Sequence, residues 1–374
     1  MIDYSKFRQE LHRYPEISEQ EDNTARTIKA FFQKYHPEGM IYDLVDNSFV
    51  VQIKGQNKQP SIMFRCELDA LPIQEKNDIA HLSKLPGKAH LCGHDGHMTV
   101  LLKLASLLEN IKNRGDVYLL FQHGEENGAG AQAIMKTGFE QFQIEPDYIF
   151  ALHNVPGFKM NEVVVKDAAF TPNVVSIHLD LIGKTAHAAE PFNGVNPQPV
   201  ISEICEYFNS FHHPESGEAF FISTPIHIQM GTKDYGISAG HGELDYTFRF
   251  YEASEMSDFK AKVERFIKLI AEKHQIELQI NWLQEFTSIV NDEGANQIIT
   301  QATKALKLPY HSKPYPFNWG EDFGLYLTKY KGAMFGLGAG ENTPHLHAEN
   351  YDFPDELIES GAAMFAQIIK EICR

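Results

Sequence analysis

The stretch "DVYLLFQHGEENGAGAQAIMKTGF" (residues 116–139), followed by "DYIFALHNV" (147–155), reads as strand, turn, helix and strand. "VYLLFQ" is apolar up to its closing Gln122 rather than alternating, the pattern of a short strand buried on both faces. "GEENG" supplies the turn, and "AGAQAIMKTGF" returns the chain as a helix. Working outward, "SFVVQIKG" and "SIMFRCEL" are two more short apolar strands bounded by Gly, Pro and Asn, and "MTVLLKLASLLENI" is a helix. Strands alternating with helices predict an α/β domain with a mostly parallel central sheet.

Two helices precede it. "YSKFRQELHRY" puts Phe7, Leu11 and Tyr14 on one face and Pro15 stops it. "SEQE" (Ser18 to Glu21) has the pattern of a capping box opening a second helix to about His36. The pattern changes after about residue 168. "VVSIHLDLIG", "NPQPVISEICEYFNSF", "AFFISTPIHIQMG", "GELDYTFRFYE", "SEMSDFKAKVERFIKLIAEKH" and "IELQINWLQEF" give the order β-α-β-β-α-β of a ferredoxin-like unit. The expected organisation is therefore an α/β domain of residues 1–168 and 287–374, interrupted by a smaller α+β domain, 169–286. Pro354, Asp355 and Glu356 suit the first turn of the last helix.

Composition narrows the function. With 43% hydrophobic and 22% charged residues, the 374-residue chain can bury a sizeable core. A net charge of −17 with no basic stripe argues against a nucleic-acid partner. "MIDYSKFRQELHRYPE" has no apolar signal core, and no apolar run reaches about 18 residues. The expectation is a soluble cytoplasmic protein with no membrane partner. Cys66, Cys92, Cys205 and Cys373 are too scattered for a disulfide framework. Cys66 and Cys205 read as inert core thiols, and Cys373 as incidental.

Polar groups beyond the carboxyl ends of strands are the candidates for chemistry. They fall in "FRCELDALP" (Glu67, Asp69), "AHLCGHDGHMTV" (Cys92, His94, Asp95, His97), "FQHGEENGAG" (Glu125, Glu126), "ALHNVPG" (His153) and "TPHLHAENYDF" (His345, His347). Thiolate, imidazole and carboxylate are the donors of zinc and related divalent ions. Parallel strands would bring them to one edge. The "CGHDGH" stretch by itself admits a metal site, a satisfied polar loop or a thiol nucleophile with its base. Glu125 and Glu126 read either as a solvated acidic turn or as one metal ligand beside one general base. His153 alone reads as a core histidine, and His187 in "GKTAHAAEP" as an exposed loop residue or a donor toward the site. Glu321 and Asp322 in "NWGEDFG" could cap a helix or buttress a ligand histidine.

The order of these motifs resembles that of the M20 metallopeptidases, in particular the amidohydrolases that include hippurate hydrolases, aminoacylases and indole-acetyl-amino-acid hydrolases. "LHRYPEIS", "FRCELDALPI", "CGHDGH", "GEENGAGAQAIMKTG", "HNVPG", "GKTAHAAEPFNGVNP", "EDF" and "LHAENYDFPDE" carry the likeness over nearly the whole chain. The resemblance implies a site for two divalent ions (Zn, Mn, Co or Ni) in which Cys92 bridges and His94, Glu126, His153 and His347 complete the ligand set. His347 is chosen over His345 from its place before the closing motif. Glu125 would be the general base on the bridging water, with Asp69 orienting from behind and Asp95 and His97 in support. His187 would polarise the scissile carbonyl, in its own or a partner subunit's site. Arg249 would hold a substrate carboxylate.

The implied reaction is hydrolysis of the amide of an N-acyl-amino acid or related conjugate, under a lid formed by the inserted domain, whose exposed strand edge could pair two subunits as a homodimer. The competing readings are a dipeptidase or carboxypeptidase of the same family, a metal-independent cysteine hydrolase using Cys92, and a non-catalytic binding protein on this scaffold. Two segments depart from the family pattern. Glu67 stands where Asp is usual, and "YGISAGHGELDYTFR" in the lid keeps little besides Arg249. The second bears on substrate preference more than on hydrolysis.

Overall fold

A computed structural model describes residues 2–56, 59–215, 220–251 and 256–374. The chain divides into two compact units, Met1–Phe170 with Ile289–Pro316 and Glu321–Arg374, and Thr171–Ser288 with Phe317–Gly320. The second begins and ends two residues later than the insertion expected from the sequence, and it also takes up Phe317–Gly320.

The first unit opens with helices α1 (Tyr4–Arg13) and α2 (Asp22–Tyr35). Strands β1 (Met40–Asp43), β2 (Phe49–Ile53) and β3 (Ile62–Glu67) lead to helix α3 (His94–Leu108). Then come β4 (Val117–Gln122), helix α4 (Ala129–Thr137), β5 (Tyr148–Val155) and β6 (Val163–Val165). The eight-stranded sheet runs β1-β2-β4-β3-β5, then Gly332–Gly338, β6 and Tyr310–Ser312. Its centre, from β4 through β3 and β5 to Gly332–Gly338, is parallel. It is thus a mixed α/β fold with a large, mostly parallel sheet. Every residue of β2, β3 and β4 is buried, which is why their sequences are mostly apolar and do not alternate. Each large apolar side chain buried there contributes about 1.5–3 kcal/mol. Phe121 stacks on Phe49 at 4.9 Å between ring centroids and meets Phe32 edge-on.

Two local expectations change. Ser18 to Glu21 is not a capping box: α2 starts at Asp22 and its N-cap, Glu21, makes no side-chain cap bond. The Ser18 hydroxyl donates instead to Asp69 Oδ2 at 2.8 Å, while Glu21 Oε1 accepts from Gly124 N at 2.8 Å. Both polar groups are drawn to buried partners stronger than a helix end. The helix expected from Met98 starts four residues earlier, at His94. Gly93 is its N-cap at φ +100°, and a Cβ there would lie 2.5 Å from the Asn154 side chain. His94, Asp95 and His97 therefore sit in the first turn of this helix.

In the second unit, strands Asn173–Ile182, Phe221–Met230, His241–Phe250 and Glu277–Phe286 form an antiparallel sheet. Helices Gln198–Asn209 and Met256–Lys273 complete the order β-α-β-β-α-β. In space the strands run second, third, first, fourth, so Phe221–Met230 is an edge. Ser254 and Glu255, with which the sequence reading began the second helix, lie outside the described residues, as do Ala219 and Glu252 at the ends of two expected strands. Cys66 is buried as anticipated, whereas Cys205 is half-exposed. Among the described residues no helix is long and apolar enough to cross a membrane.

Candidate metal centre

The carboxyl ends of β3, β4 and β5 and the start of α3 deliver side chains to one place in the first unit. Cys92 precedes α3, and its Sγ lies 3.5 Å from His153 Nε2 on β5. His94 opens α3, with Nε2 3.8 Å from Glu125 Oε2 and 3.9 Å from Glu126 Oε1. His347 Nε2 is 3.6 Å from that same Glu126 oxygen. Three overlapping sets have all their ligand atoms within 4.8 Å of one another: Cys92–His94–His153, Cys92–Glu126–His347 and His94–Glu125–Glu126. Cys92 belongs to two of them, the place a bridging thiolate would take.

Two of the histidines turn a ring nitrogen into the cluster. His94 Nδ1 is 2.9 Å from the Asp69 carbonyl oxygen and His153 Nδ1 is 2.9 Å from that of Asn154. Each Nδ1 therefore carries the proton and donates, leaving the Nε2 lone pair turned into the cluster. His94 Nε2 and Glu126 Oε1 are buried and make no hydrogen bond. Two such atoms facing one another at 3.9 Å are costly without a cation between them. The donor set of thiolate, imidazole and carboxylate fits divalent ions of the zinc type.

The electrostatics point the same way. Burial pushes the Cys92 thiol well above its ordinary value, and the charges of Glu126, Glu125 and Glu67 push it further. Burial and its neighbours Glu321 and Glu126 raise Glu125 as well. Burial raises Glu126 to about 7 against the pull of His94. A cluster whose anions raise one another in this way is compensated by added positive charge, which opposes these shifts.

The Glu125–Glu126 turn is held from behind. Asp69 Oδ2 accepts from Glu126 N at 2.9 Å, and Ser48 Oγ accepts from His123 N at 2.9 Å. A Cβ at Gly130 would lie 1.8 Å from the His123 carbonyl, so only glycine lets α4 pack this close. Asp95 faces away from the cluster. Its Oδ2 receives Arg8 Nη1 at 3.1 Å and lies 2.9 Å from His12 Nδ1, whose Nε2 is 3.1 Å from Glu75. His97 bridges Glu67 and Asn154. Glu321 and Asp322 pair with Arg65 rather than with a ligand histidine. His345 and His347 are both exposed. His347 is the one within reach of Glu126.

His187 and Arg249 belong to the second unit. His187 is exposed, and its Nδ1 accepts from Ala189 N at 3.0 Å. Arg249 is half-buried on the strand His241–Phe250, and its guanidinium makes no hydrogen bond or ion pair among the described residues.

Two features escaped the sequence reading. Arg65, fully buried on β3, binds Glu67, Glu321, Asp322 and Gln122 at once. A lone arginine inside the apolar run "SIMFRCEL" was the available signal. The other is His12. Burial lowers its pKa, but the hydrogen bonds its ring donates to Asp95 and Glu75 outweigh this and leave it at about 9. Raised above its unfolded value of 6.5, it contributes stability fully present below about pH 6.5 and lost as pH rises through about 9. The contribution is on the order of 3 kcal/mol. The urea midpoint is expected to fall between about pH 6 and about pH 10, and to fall less in His12→Gln. Equal falls in both proteins would contradict the assignment.

The model of peptidase family M20/M25/M40 matches residues 63–371. The N-acetylcysteine deacetylase of Bacillus subtilis is 27% identical over 368 residues, covering 96% of this chain and 94% of that protein. An N-acetyldiaminopimelate deacetylase of Lactobacillus acidophilus is 27% identical over 369 residues, covering 95% and 94%. Among solved structures, the Bacillus subtilis YXEP protein, described as a dinuclear metal binding peptidase from the M20 family, superposes with a TM-score of 0.81 at 23% identity, covering 98% of this chain and 96% of that one.

Proposed function

The chain belongs to peptidase family M20/M25/M40, and from that premise we propose that it is a metal-dependent amidohydrolase cleaving the amide bond of N-acyl-amino acids. The observation that carries this is the pair of buried, unpartnered ligand atoms, His94 Nε2 and Glu126 Oε1, with Glu125 beside them. The deacetylase relatives support an N-acyl-amino acid as the substrate class.

Cys92, His94, Glu126, His153 and His347 would hold two divalent ions, with Cys92 shared. Bound there, such ions acidify a water and polarise the scissile carbonyl. Glu125 takes the proton of the attacking water on its carboxylate and returns it to the leaving nitrogen. Burial raises the pKa of this carboxylate, which makes it a stronger base toward that proton. Asp69 fixes the His94 ring through its backbone carbonyl and the Glu126 backbone through its carboxylate. His187 stabilises the oxyanion, and the Arg249 guanidinium, without a partner among the described residues, anchors the substrate carboxylate. The second unit serves as a lid.

The test of substrate class is a panel of N-acetyl-amino acids, N-benzoyl-amino acids and dipeptides. The acylated amino acids are expected to be cleaved fastest, and faster cleavage of dipeptides would move the assignment to a dipeptidase. The reading includes a homodimer through the edge strand Phe221–Met230, where Ile226, Ile228 and Met230 are 61%, 51% and 40% exposed. A monomer in sedimentation equilibrium would contradict it. Cytoplasmic residence belongs to the same reading and rests on the four free cysteines.

A further inference from the structure

We propose that His36, Glu38 and Glu109 form a second, structural site for a divalent cation of the zinc type, at the far end of the helix that presents His94. The three ligand atoms lie within 4.8 Å of one another. His36 follows the last residue of α2 and is only 3% exposed. Its Nε2 is 3.1 Å from Ser106 Oγ on α3, which also bonds the Tyr4 hydroxyl. With Nε2 donating to Ser106, Nδ1 presents its lone pair outward. That Nδ1 is buried and makes no hydrogen bond. Glu38 Oε1 stands 3.5 Å from it without hydrogen-bonding it.

The local field favours a cation. Two helices end here, α2 at Tyr35 and α3 at Leu108, with Glu109 as the C-cap of α3. Helix C-termini carry partial negative charge, so a carboxylate at that position is unfavourable unless something positive joins it. Among the described residues neither Glu38 nor Glu109 pairs with a lysine or arginine. Arg114 is a cation that feels the charge of Glu38. Its N–H groups, however, go to the carbonyls of Leu108, Ile53, Lys54 and Gly115. An ion bound about 2.0–2.2 Å from one imidazole nitrogen and two carboxylate oxygens needs only a small inward turn of the exposed glutamates. It would tie α2 to α3 about 20 Å from His94, measured along the 15 residues of α3.

The test is equilibrium dialysis with zinc on protein whose functional site has first been loaded with metal. The wild type is expected to take up one further zinc ion per chain and to gain in thermal midpoint as it does. The Glu38→Gln/Glu109→Gln double variant should take up none and show no such gain, while its hydrolytic rate stays unchanged. Those two surface changes should fold, and His36→Gln, the buried variant, should behave like them. Cys92→Ser, altered in the other site, should still bind this ion, so failure of the functional reading and failure of this proposal are told apart. If the wild type takes up no further zinc, or the double variant takes up as much, the proposal is overturned.

Discussion

Replacing Glu125 with Gln is expected to lower kcat by roughly 100- to 10,000-fold, the range that general acid–base catalysis supplies. Glutamine keeps the shape of the side chain and its place beside His94, but it cannot accept the proton of the attacking water. Metal content and KM should stay near wild-type values, because Glu125 is assigned to the proton and not to the ions or the substrate. Stability should hold or rise. The wild-type carboxylate is 5% exposed, and its neighbours Glu321 and Glu126 repel its charge, so a neutral amide removes a cost that the fold otherwise bears. This combination separates a catalytic role from a structural one. Near-wild-type kcat in the variant would remove the general-base assignment, and loss of metal with loss of rate would make Glu125 a ligand instead.

The second large effect lies behind the site. Arg65 is the counter-charge for Glu67, Glu321 and Asp322, all of them buried. Even beside it, burial raises Asp322 to about 7. Arg65→Met keeps the length of the side chain and removes its charge. The expected loss is about 3–5 kcal/mol, the cost of leaving buried carboxylates without a partner. Their folded pKa values would then stand above the unfolded ones, so the folded state would bind more protons. The variant's deficit should therefore shrink as pH falls below about 6 and grow above it. A denaturation midpoint equal to the wild type's at pH 7–8 would show that the cluster does not depend on this arginine. Because Glu67 also holds His97 in the first turn of α3, metal affinity should weaken along with stability.

Much of this architecture was legible in residues 116–155, since uninterrupted apolar strands separated by a turn and a helix admit few arrangements other than a parallel, doubly covered sheet. The candidate ligands were legible as residue types and as an order along the chain. Their convergence was not, because it depends on which strands share an edge. Spacing alone misjudged the "CGHDGH" stretch. Gly93, at a left-handed φ, starts the helix four residues before the apolar run announces it, and so His94 stands on a helix rather than in a loop. Ser18 shows the same limit in reverse. It has the local pattern of a cap, yet a buried carboxylate 51 positions away wins its hydroxyl. Arg65 was visible as a charge inside an apolar run, but its partners, like those of His12, come from segments far apart in the chain.

The central claim, that the Cys92–His94–Glu126–His153–His347 cluster is a metal site that hydrolyses acylated amino acids, is tested most directly by one assay. Hydrolysis of an N-acetyl-amino acid is measured before chelation, after exhaustive chelation, and after adding back Mn, Co, Ni or Zn. The expected result is loss of activity on chelation and its return with at least one of these ions. Full hydrolysis by the chelated protein would contradict the account and favour chemistry by the Cys92 thiol.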